Sequence, residues 1–390
     1  MITIIADDLT GAAEVAGVCL RYGLRTAFGV NALPNEQAEA WVIATDSRSM
    51  TEKDARELHQ HLAEELKAAG RKSVFKKTDS VLRGHVIAEL SGLMDVYGIN
   101  KVLLQPSNPA VGRCVKAGKY LIDSIPLHET SFATDPDFPA KNASVNLLLQ
   151  SRSMQLYRKR TDFSIYTKLP VSDRSLGIYI PDCETKNDLK NGLSTLGDEW
   201  IYAGSAAFFA AYLEEKIELK VQAPTEKINP FHDNFLMVCG SAHAQSRKFI
   251  EETICKGGRV AELPAAFLTA NVDEVALTNW VDEQINVWQE DNSLILKLSS
   301  DKITFPNSAT VLKNRLAKIV NRLLQHPTKE LMIEGGATAY AILIKQGWST
   351  LVPLQELSPG VVRMAVSQYP GLFLTLKPGS YKWPENGILN

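Results

Sequence analysis

Two alternating periodicities along the chain constrain its fold more than any other feature. Short runs of apolar and β-branched residues, such as Ile2–Ala6 and Lys101–Gln105, alternate with segments of helical spacing, such as Glu52–Ala69. This alternation is typical of βα units that wind around a mostly parallel sheet. It pauses after residue 213 and resumes at Phe235–Cys239. The pattern therefore predicts an α/β protein of two domains, each a mostly parallel sheet flanked by helices.

The predicted elements fall into two sets. The strands of the first set are Ile2–Ala6, Arg25–Val30, Ala40–Thr45, Ser73–Lys76, Lys101–Gln105, Gly177–Ile180 and Trp200–Ala203. Its helices are Ala12–Tyr22, Glu52–Ala69, Val86–Tyr97, Thr185–Leu196 and Ser205–Leu213. The second set has strands at Phe235–Cys239, Arg259–Glu262, Ser293–Leu298 and Leu331–Glu334, and helices at Gln245–Cys255, Val272–Gln289, Val311–Gln325 and Thr338–Gln346.

Two segments interrupt this pattern. Cys114–Pro139 lacks the rhythm and carries Pro126, Pro136 and Pro139, which predicts an excursion from the sheet. The polar segment 219–233, with two prolines, is typical of an interdomain linker. We therefore predict an N-terminal domain over residues 1–222 and a C-terminal domain over residues 233–390.

Composition excludes several classes of protein. Lys and Arg total 42 against 44 Asp and Glu, so the net charge of −2 provides no general cationic field for nucleic acid or anionic lipid. The five cysteines lie far apart without a CxxC pair, which indicates reduced thiols. The apolar run at the N-terminus is too short for a signal peptide. We expect a cytoplasmic protein that recognises any anionic ligand locally and has neither a membrane nor a nucleic-acid partner.

The first candidate motif, Asp7-Asp8-Leu9-Thr10-Gly11, lies where the first predicted strand gives way to the first predicted helix. Ligands of open α/β sheets bind outside the carboxyl ends of the strands. An acid there can serve as a general base, a magnesium ligand or an acceptor for a sugar hydroxyl. Because the two acids are adjacent, we expect their side chains to point in different directions. The alternative is that one of them only caps the helix, together with Thr10.

The second candidate motif follows the predicted strand Ser73–Lys76. The segment from Lys76 to Gly84 concentrates lysines, a carboxylate, two hydroxyls and an arginine, and Arg48 follows another predicted strand. Arginine can bind a carboxylate with two parallel hydrogen bonds, whereas aspartate accepts hydrogen bonds from hydroxyls. The motif therefore favours a ligand with both groups, and a solvated helix start is the alternative.

The third set consists of glycine turns in the second half, at Gly240-Ser241, Gly335-Gly336 and Pro378-Gly379. Glycine allows a backbone to approach phosphates closely, and the amides of a helix start attract anions. Together the turns favour a nucleotide site, although each also occurs in ordinary turns. The chain has no GxGxxG after a strand, no GxxxxGK[ST], no HExxH and no GxSxG.

These motifs, in this order and spacing, resemble the four-carbon acid sugar kinase family, whose members use ATP to phosphorylate the terminal hydroxyl of small sugar acids. The resemblance extends over nearly the whole chain. It depends on residues 6–12, 77–84, 106–113, 240–241, 335–338, 358–360 and 377–379. The family often has an acid at the position of Ala337 and a serine at that of Pro378.

The resemblance implies that the N-terminal domain binds the sugar acid, that the C-terminal domain binds ATP with Mg²⁺, and that transfer occurs in the cleft between them. The residues implied to contact the substrate are Asp8, Arg48, Lys77, Thr78, Asp79, Ser80 and Arg83. The residues implied to contact ATP are Ser241, Gly335, Gly336, Ala337, Thr338 and Gly379. Asp8 is predicted to orient the C4 hydroxyl, with Asp7 as the second catalytic candidate, and no metal ligands are predicted.

General likeness to the family favours D-threonate as the substrate, with 4-phospho-D-threonate as the product. D-erythronate and 3-oxo-tetronate are the alternative substrates. A sensor that binds a sugar acid and a nucleotide without catalysis is the alternative from another class, since it would carry the same carboxylate-binding cluster. A homodimer is expected from the frequency of symmetric dimers alone.

Overall fold

The computed structural model describes residues 1–152, 164–170, 176–217, 231–240, 244–255, 258–299 and 305–384. The chain forms two compact units, Met1–Thr26 with Asn31–Ala223 and Ala27–Val30 with Pro224–Asn390. This division differs from the predicted one at residues 27–30, because Phe28 and Gly29 pair with the strand Thr350–Ser358 of the second unit. Most of the predicted linker, 218–230, and the predicted ATP contact Ser241 lie outside the described residues.

The N-terminal unit is built on a parallel sheet, which confirms the predicted fold class. In their order across the sheet its strands are Ala40–Ala44 (β3), Ile2–Ala6 (β1), Val74–Lys77 (β4), Ile201–Gly204 (β11), Lys101–Gln105 (β5), Gly177–Tyr179 (β10) and Ser164–Tyr166 (β9). All neighbouring pairs are parallel. The helices of this unit are Leu9–Arg21 (α1), Glu52–Ala68 (α2), Val86–Tyr97 (α3), Val145–Arg152 (α4) and Ala206–Lys216 (α5).

Burial explains why the strands of this unit read as continuous apolar runs. All five residues of β1 are buried, as expected for a parallel strand covered on both faces. In α2 the buried residues recur at helical spacing, from Ala55 through Leu62 to Leu66. The side chains from the sheet and from α2, α3 and α4 form one apolar core.

The segment predicted as an excursion forms a separate antiparallel sheet of Arg113–Lys116 (β6), Lys119–Ile122 (β7) and Ile125–Pro126 (β8). The predicted helix Thr185–Leu196 is wrong. Only Asn187–Lys190 forms a short 3₁₀ turn there, and Gly192 adopts a φ of 85°. Leu189, Leu193 and Leu196 recur at helical spacing, but the asparagine, serine, threonine and glycine residues between them have low helix propensity.

The C-terminal unit has a mixed sheet. Its parallel strands are, in order, Val260–Leu263 (β13), Ser293–Leu298 (β14), Phe235–Cys239 (β12), Glu330–Glu334 (β15) and Phe373–Lys377 (β18). The antiparallel strands Val361–Val366 (β17), Thr350–Ser358 (β16) and Thr26–Val30 (β2) continue it. The helices are Ala244–Cys255 (α6), Glu274–Asp291 (α7), Ser308–Leu323 (α8) and Gly336–Gln346 (α9). In the part of the chain that is described, no helix combines the length and apolarity needed to cross a bilayer.

Candidate functional site

The carboxyl ends of β1, β3 and β4 bring together charged residues that the sequence singles out. These strands are adjacent and parallel, so the residues that follow them lie at one edge of the sheet. The guanidinium of Arg48 lies 2.9 Å from Asp7 Oδ2, 3.4 Å from Asp8 Oδ2 and 3.6 Å from Asp79 Oδ1. One arginine therefore contacts three carboxylates that the sequence places in two separate motifs.

Asp7 is the buried member of the acidic pair, with 1% of its side chain exposed. Its Oδ2 accepts hydrogen bonds from Arg48 Nε at 3.1 Å and Nη2 at 2.9 Å, whereas its Oδ1 has no hydrogen-bond partner among the residues that the structure describes. Burial raises the pKa of Asp7 above its ordinary value, against the opposing effect of Arg48. Asp7 thus fixes the position of Arg48 and holds one unsatisfied carboxylate oxygen.

Asp8 is more accessible, with 21% of its side chain exposed, and it caps α1. Its Oδ1 accepts a hydrogen bond from the Gly11 N–H at 2.9 Å, and its Oδ2 accepts one from the Thr10 hydroxyl at 2.7 Å. Burial alone would raise the pKa of Asp8, but Arg48, Lys77 and these hydrogen bonds outweigh it, and the pKa is lowered. Asp8 is therefore both a helix cap and an ionised carboxylate that can accept from a hydroxyl.

The expectation that the two acids point in different directions is wrong. Both carboxylates contact the guanidinium of Arg48. The strict alternation of a strand ends at Ala6, and Asp8 has the extended conformation of a helix cap. The side chains of Asp7 and Asp8 can therefore converge on one cation.

Asp79 organises the loop after β4. Its carboxylate accepts hydrogen bonds from the N–H groups of Val81 at 3.2 Å and Arg83 at 3.1 Å, and from Arg83 Nε at 3.0 Å and Nη2 at 2.8 Å. Burial opposes the charge of Asp79, but Arg48 and Arg83 hold its pKa well below the ordinary value. Arg83 keeps 29% of its side chain exposed, and its Nη1 donates to Asp135 at 3.3 Å.

The remaining predicted substrate contacts are Lys77, the last residue of β4, and Thr78 and Ser80 in the same loop. Lys77 Nζ donates to the Thr78 carbonyl at 3.0 Å and lies 3.6 Å from Glu14 Oε2. Within the described part of the chain the buried hydroxyl of Thr78 has no hydrogen-bond partner, and the Ser80 hydroxyl accepts a hydrogen bond from Arg113. Glu14, Arg113 and Asp135 contact the predicted residues but were not predicted as site residues themselves. Folding brings Glu14 and Asp135 there from other parts of the chain, so no local pattern identifies them. Arg113 ends the motif 106–113, which was the available signal for it.

Lys76 has a different role from Lys77, because neighbouring side chains of a strand face opposite sides. Its Nζ lies 3.0 Å from Glu89 Oε2, and both side chains are buried. Glu89 also accepts a hydrogen bond from the Ser47 hydroxyl at 2.7 Å. Burial opposes the charge of Glu89, but Lys76 outweighs it and lowers the pKa of Glu89 to about 2. Lys76 and Glu89 therefore form an internal ion pair beneath the site.

The glycine turns of the C-terminal unit follow β12, β15 and β18. A Cβ atom on Gly240, after β12, would lie 2.2 Å from Thr338 Oγ1 in the first turns of α9. Gly335, after β15, has a φ of 99°, and it precedes α9 without capping the helix through a side chain. The backbone at Gly240 and Gly335 therefore has no side chain that would block a ligand at the start of α9. The first N–H groups of a helix attract anions, so this arrangement fits the phosphates of a nucleotide.

The buried side chain of Lys377, the last residue of β18, stabilises the third glycine turn, which contains Pro378 and Gly379. Its Nζ donates to the carbonyls of Pro378 at 2.9 Å and Tyr381 at 2.6 Å, and it lies 3.5 Å from Glu334 Oε1. Trp383 Nε1 donates to Glu334 Oε2 at 3.2 Å. Burial lowers the pKa of Lys377 and raises that of Glu334. These contacts fix the turn that contains Gly379.

Any Mg²⁺ would need ligands from a bound nucleotide as well as from the protein. Among the described residues, no group of three or more His, Cys, Asp or Glu side chains is placed to hold a metal ion. Mg²⁺ in nucleotide sites needs only one or two carboxylates, because phosphates and waters complete its coordination. The unpartnered Oδ1 of Asp7 is a carboxylate oxygen of this kind.

Comparison with known proteins agrees with the two-part organisation. Residues 2–212 match a family model described as a sugar-binding N-terminal domain, and residues 236–381 match one described as a nucleotide-binding C-terminal domain. The chain is 25% identical to a protein named D-threonate kinase from Bordetella bronchiseptica, over 97% of this chain and 94% of the relative. It is 21% identical to a protein named 3-oxo-tetronate kinase from Haemophilus influenzae, over 98% and 97% of the two chains.

The fold is shared with a solved structure. A Haemophilus influenzae protein from a domain family of unknown function superposes with a TM-score of 0.71 at 17% sequence identity. The match covers 98% of this chain and 97% of the other. Both units of the chain therefore have counterparts of known structure.

Proposed function

Because this chain belongs to the four-carbon acid sugar kinase family and is a phosphotransferase, we propose that it uses ATP to phosphorylate the C4 hydroxyl of D-threonate. Its relatives bear the names of D-threonate, D-erythronate and 3-oxo-tetronate kinases. D-erythronate and 3-oxo-tetronate are therefore the competing substrates. The observation that carries the proposal is the cluster of three carboxylates around Arg48 beside two further cations, Lys77 and Arg83.

The exposed fractions of the charged side chains suggest which of them bind the substrate carboxylate and which bind its hydroxyl. A sugar acid needs a cation for its carboxylate and an acceptor for the hydroxyl that reacts. Arg83 is the most exposed of the three cations, at 29% of its side chain against 18% for Arg48 and 5% for Lys77. Asp8 is the most exposed carboxylate, at 21% against 8% for Asp79. We therefore assign the substrate carboxylate to Arg83 and the C4 hydroxyl to Asp8.

Phosphoryl transfer depends mainly on positioning and on stabilisation of charge, so a weak base suffices. Asp8 accepts the hydrogen bond of the C4 hydroxyl and then its proton, while Arg48, the Thr10 hydroxyl and the Gly11 N–H hold the carboxylate of Asp8 in place. The N–H groups of residues 336–338, at the start of α9, bind the phosphates, since the N–H of Gly335 donates to the Lys377 carbonyl at 3.0 Å. When bound, ATP supplies the phosphoryl group and Mg²⁺ offsets the charge on its phosphates.

A substrate panel tests this proposal directly. Purified protein with ATP and Mg²⁺ is assayed for ADP release with D-threonate, D-erythronate and 3-oxo-tetronate. We expect the highest kcat/KM with D-threonate, because a pocket built to hydrogen-bond one stereoisomer leaves polar groups unpaired with the other. Phosphorus NMR of the product should place the phosphate on C4. Phosphate on another hydroxyl would contradict the site assignment, and nucleotide binding without turnover on any acid would favour a sensor.

Arg83→Lys tests the assignment of the substrate carboxylate. Lysine keeps the charge but loses the bidentate geometry of the guanidinium, so KM for the acid should rise about 10- to 100-fold while KM for ATP stays unchanged. Steady-state kinetics with each substrate varied in turn measures both values. Arg322→Lys is the matched control, because Arg322 makes the same two-bonded contact with Asp282 in the C-terminal unit. An unchanged KM for the acid in the Arg83 variant would remove Arg83 from the carboxylate site.

A further inference from the structure

Arg152, the last residue of α4, binds the backbone of the loop that carries Asp79 and Arg83. Its Nη1 donates to the carbonyl of Val81 at 3.1 Å and to that of Leu82. Its Nη2 donates to the carbonyl of Phe138 at 3.1 Å. One guanidinium thus binds three backbone carbonyls from two separate segments of the N-terminal unit.

The loop needs such support because part of its backbone is strained. Leu82 is fully buried and has a φ of 60°, in the left-handed region that side chains with a Cβ atom disfavour. The carboxylate of Asp79 holds the N–H groups of this loop, at Val81 and Arg83. Arg152 holds its carbonyl side. The two charged groups therefore bind opposite polar edges of the same strained turn.

The second segment bound by Arg152 also contacts the site. Asp135 accepts a hydrogen bond from Arg83 Nη1 at 3.3 Å and one from the N–H of Phe138 at 2.8 Å. Phe138 packs edge-on against His85, the residue that directly follows the loop 79–84. Arg152 therefore joins the same two segments that the Arg83–Asp135 pair joins, and a shift of either segment would move Arg83.

We propose that Arg152 is a positioning residue for the sugar acid, because it holds the loop 79–84 in the conformation that presents Arg83 to the substrate. The inference rests on the proposed function. Arg152 does not touch the carboxylate of Asp79 or of Asp135 through a hydrogen bond, so it acts through the backbone. Burial lowers its pKa to about 10, which leaves the guanidinium charged at neutral pH and keeps its hydrogen bonds strong.

The kinetic test compares Arg152→Ala with the wild-type chain. We expect KM for the acid to rise about 10- to 100-fold, because a small misplacement of a binding group is sufficient for such a loss. KM for ATP should remain within about twofold, since no nucleotide-binding residue is affected. Added guanidinium ion, at concentrations well below those that unfold the wild type, should restore part of the affinity for the acid. A variant with wild-type KM for the acid and only a lower Tm would overturn the proposal.

Arg315→Ala is the matched control. Arg315, in α8 of the C-terminal unit, likewise donates to backbone carbonyls, those of Phe267, Thr269 at 2.8 Å and Ala270 at 3.5 Å. Loss of this arginine should lower Tm without changing KM for the acid and without any response to guanidinium. If Arg152→Ala does not fold, Arg152→Lys keeps the charge and should show a smaller increase in KM for the acid.

A second measurement does not depend on activity. Hydrogen exchange followed by mass spectrometry should show faster exchange in the peptide that spans residues 79–84 of Arg152→Ala. Without Arg152 the loop is no longer fixed, so the hydrogen bonds from the N–H groups of Val81 and Arg83 to Asp79 should open more often. Unchanged exchange there would overturn the inference. A wild-type chain without acid-dependent ADP release would instead refute the proposed function, and the exchange result would still decide whether Arg152 holds the loop.

Discussion

Replacement of Asp8 by asparagine should lower kcat about 10²- to 10⁴-fold, the range expected for loss of a general base. Asparagine has nearly the same size, and its side-chain oxygen can still accept the hydrogen bond from the Gly11 N–H. Asparagine and aspartate are also equally good helix caps, so α1 should remain stable. The substitution thus removes the negative charge that accepts the hydroxyl proton and keeps the cap of α1. It also replaces the Oδ2 that accepts from the Thr10 hydroxyl and faces Arg48 with an amide nitrogen.

The measurement pairs kcat, at saturating acid and ATP, with the ATP dissociation constant from calorimetry, which should not change. Asp273→Asn is the control, because Asp273 caps α7 through hydrogen bonds from Val275 and Ala276 at 3.0 Å. That variant should keep the wild-type kcat. Because Asp7 also positions Arg48, a fall in kcat for Asp7→Asn alone does not identify the base. A wild-type kcat in Asp8→Asn would exclude Asp8 and leave Asp7 as the candidate.

Replacement of Lys76 by methionine should lower the free energy of unfolding by about 3–5 kcal/mol, the usual cost of removing one partner from a buried ion pair. Glu89 would lose the ammonium group 3.0 Å from its carboxylate and would keep only the Ser47 hydroxyl as a hydrogen-bond donor among the contacts described above. Urea unfolding followed by circular dichroism measures the change. The exposed pair Lys53–Glu57 provides the control, since Lys53→Met should change stability by at most about 0.5 kcal/mol.

The pH dependence of the free energy of unfolding is a second test of the Lys76–Glu89 ion pair, because the wild type and Lys76→Met should change in opposite directions. In the wild type the pKa of Glu89 lies below its unfolded value, so its contribution is present above the unfolded pKa and is lost as the pH falls toward about 2. In Lys76→Met, burial without a cation raises that pKa instead, and stability should increase as the pH falls from 7 to about 5. The double variant Lys76→Met/Glu89→Leu should recover most of the loss. A double variant as unstable as the single one would contradict this account.

Local patterns in the sequence were sufficient for most of the helices and parallel strands of both units. They were also sufficient to place Asp8, Arg48 and Asp79 at one sheet edge, because parallel strands end on the same side. The strands β16 and β17 were not predicted. Pro353 and Gly360 interrupt that region, and two irregularities in the pairing of β16 with β17 disturb its alternation.

The contacts that complete the site could not be predicted, because they join residues far apart in the chain. Strand alternation shows that Lys76 and Lys77 face opposite sides, but it does not show which side meets Glu89. Arg152 and Asp135 lie in segments without regular strands, and their partners are backbone atoms or a side chain on another loop. Only the folded arrangement shows that Asp7 and Asp8 converge on Arg48.

The path of the chain through β2 affects how the protein can be synthesised and divided. Residues 27–30 are synthesised long before their hydrogen-bond partners Thr350 and Leu351. The C-terminal sheet therefore cannot be completed until residues 350 and 351 have left the ribosome. A fragment that starts at the predicted linker would leave β16 with an unpaired edge, which favours aggregation. A soluble C-terminal fragment would need residues 27–30 supplied as a separate peptide or fused beside β16.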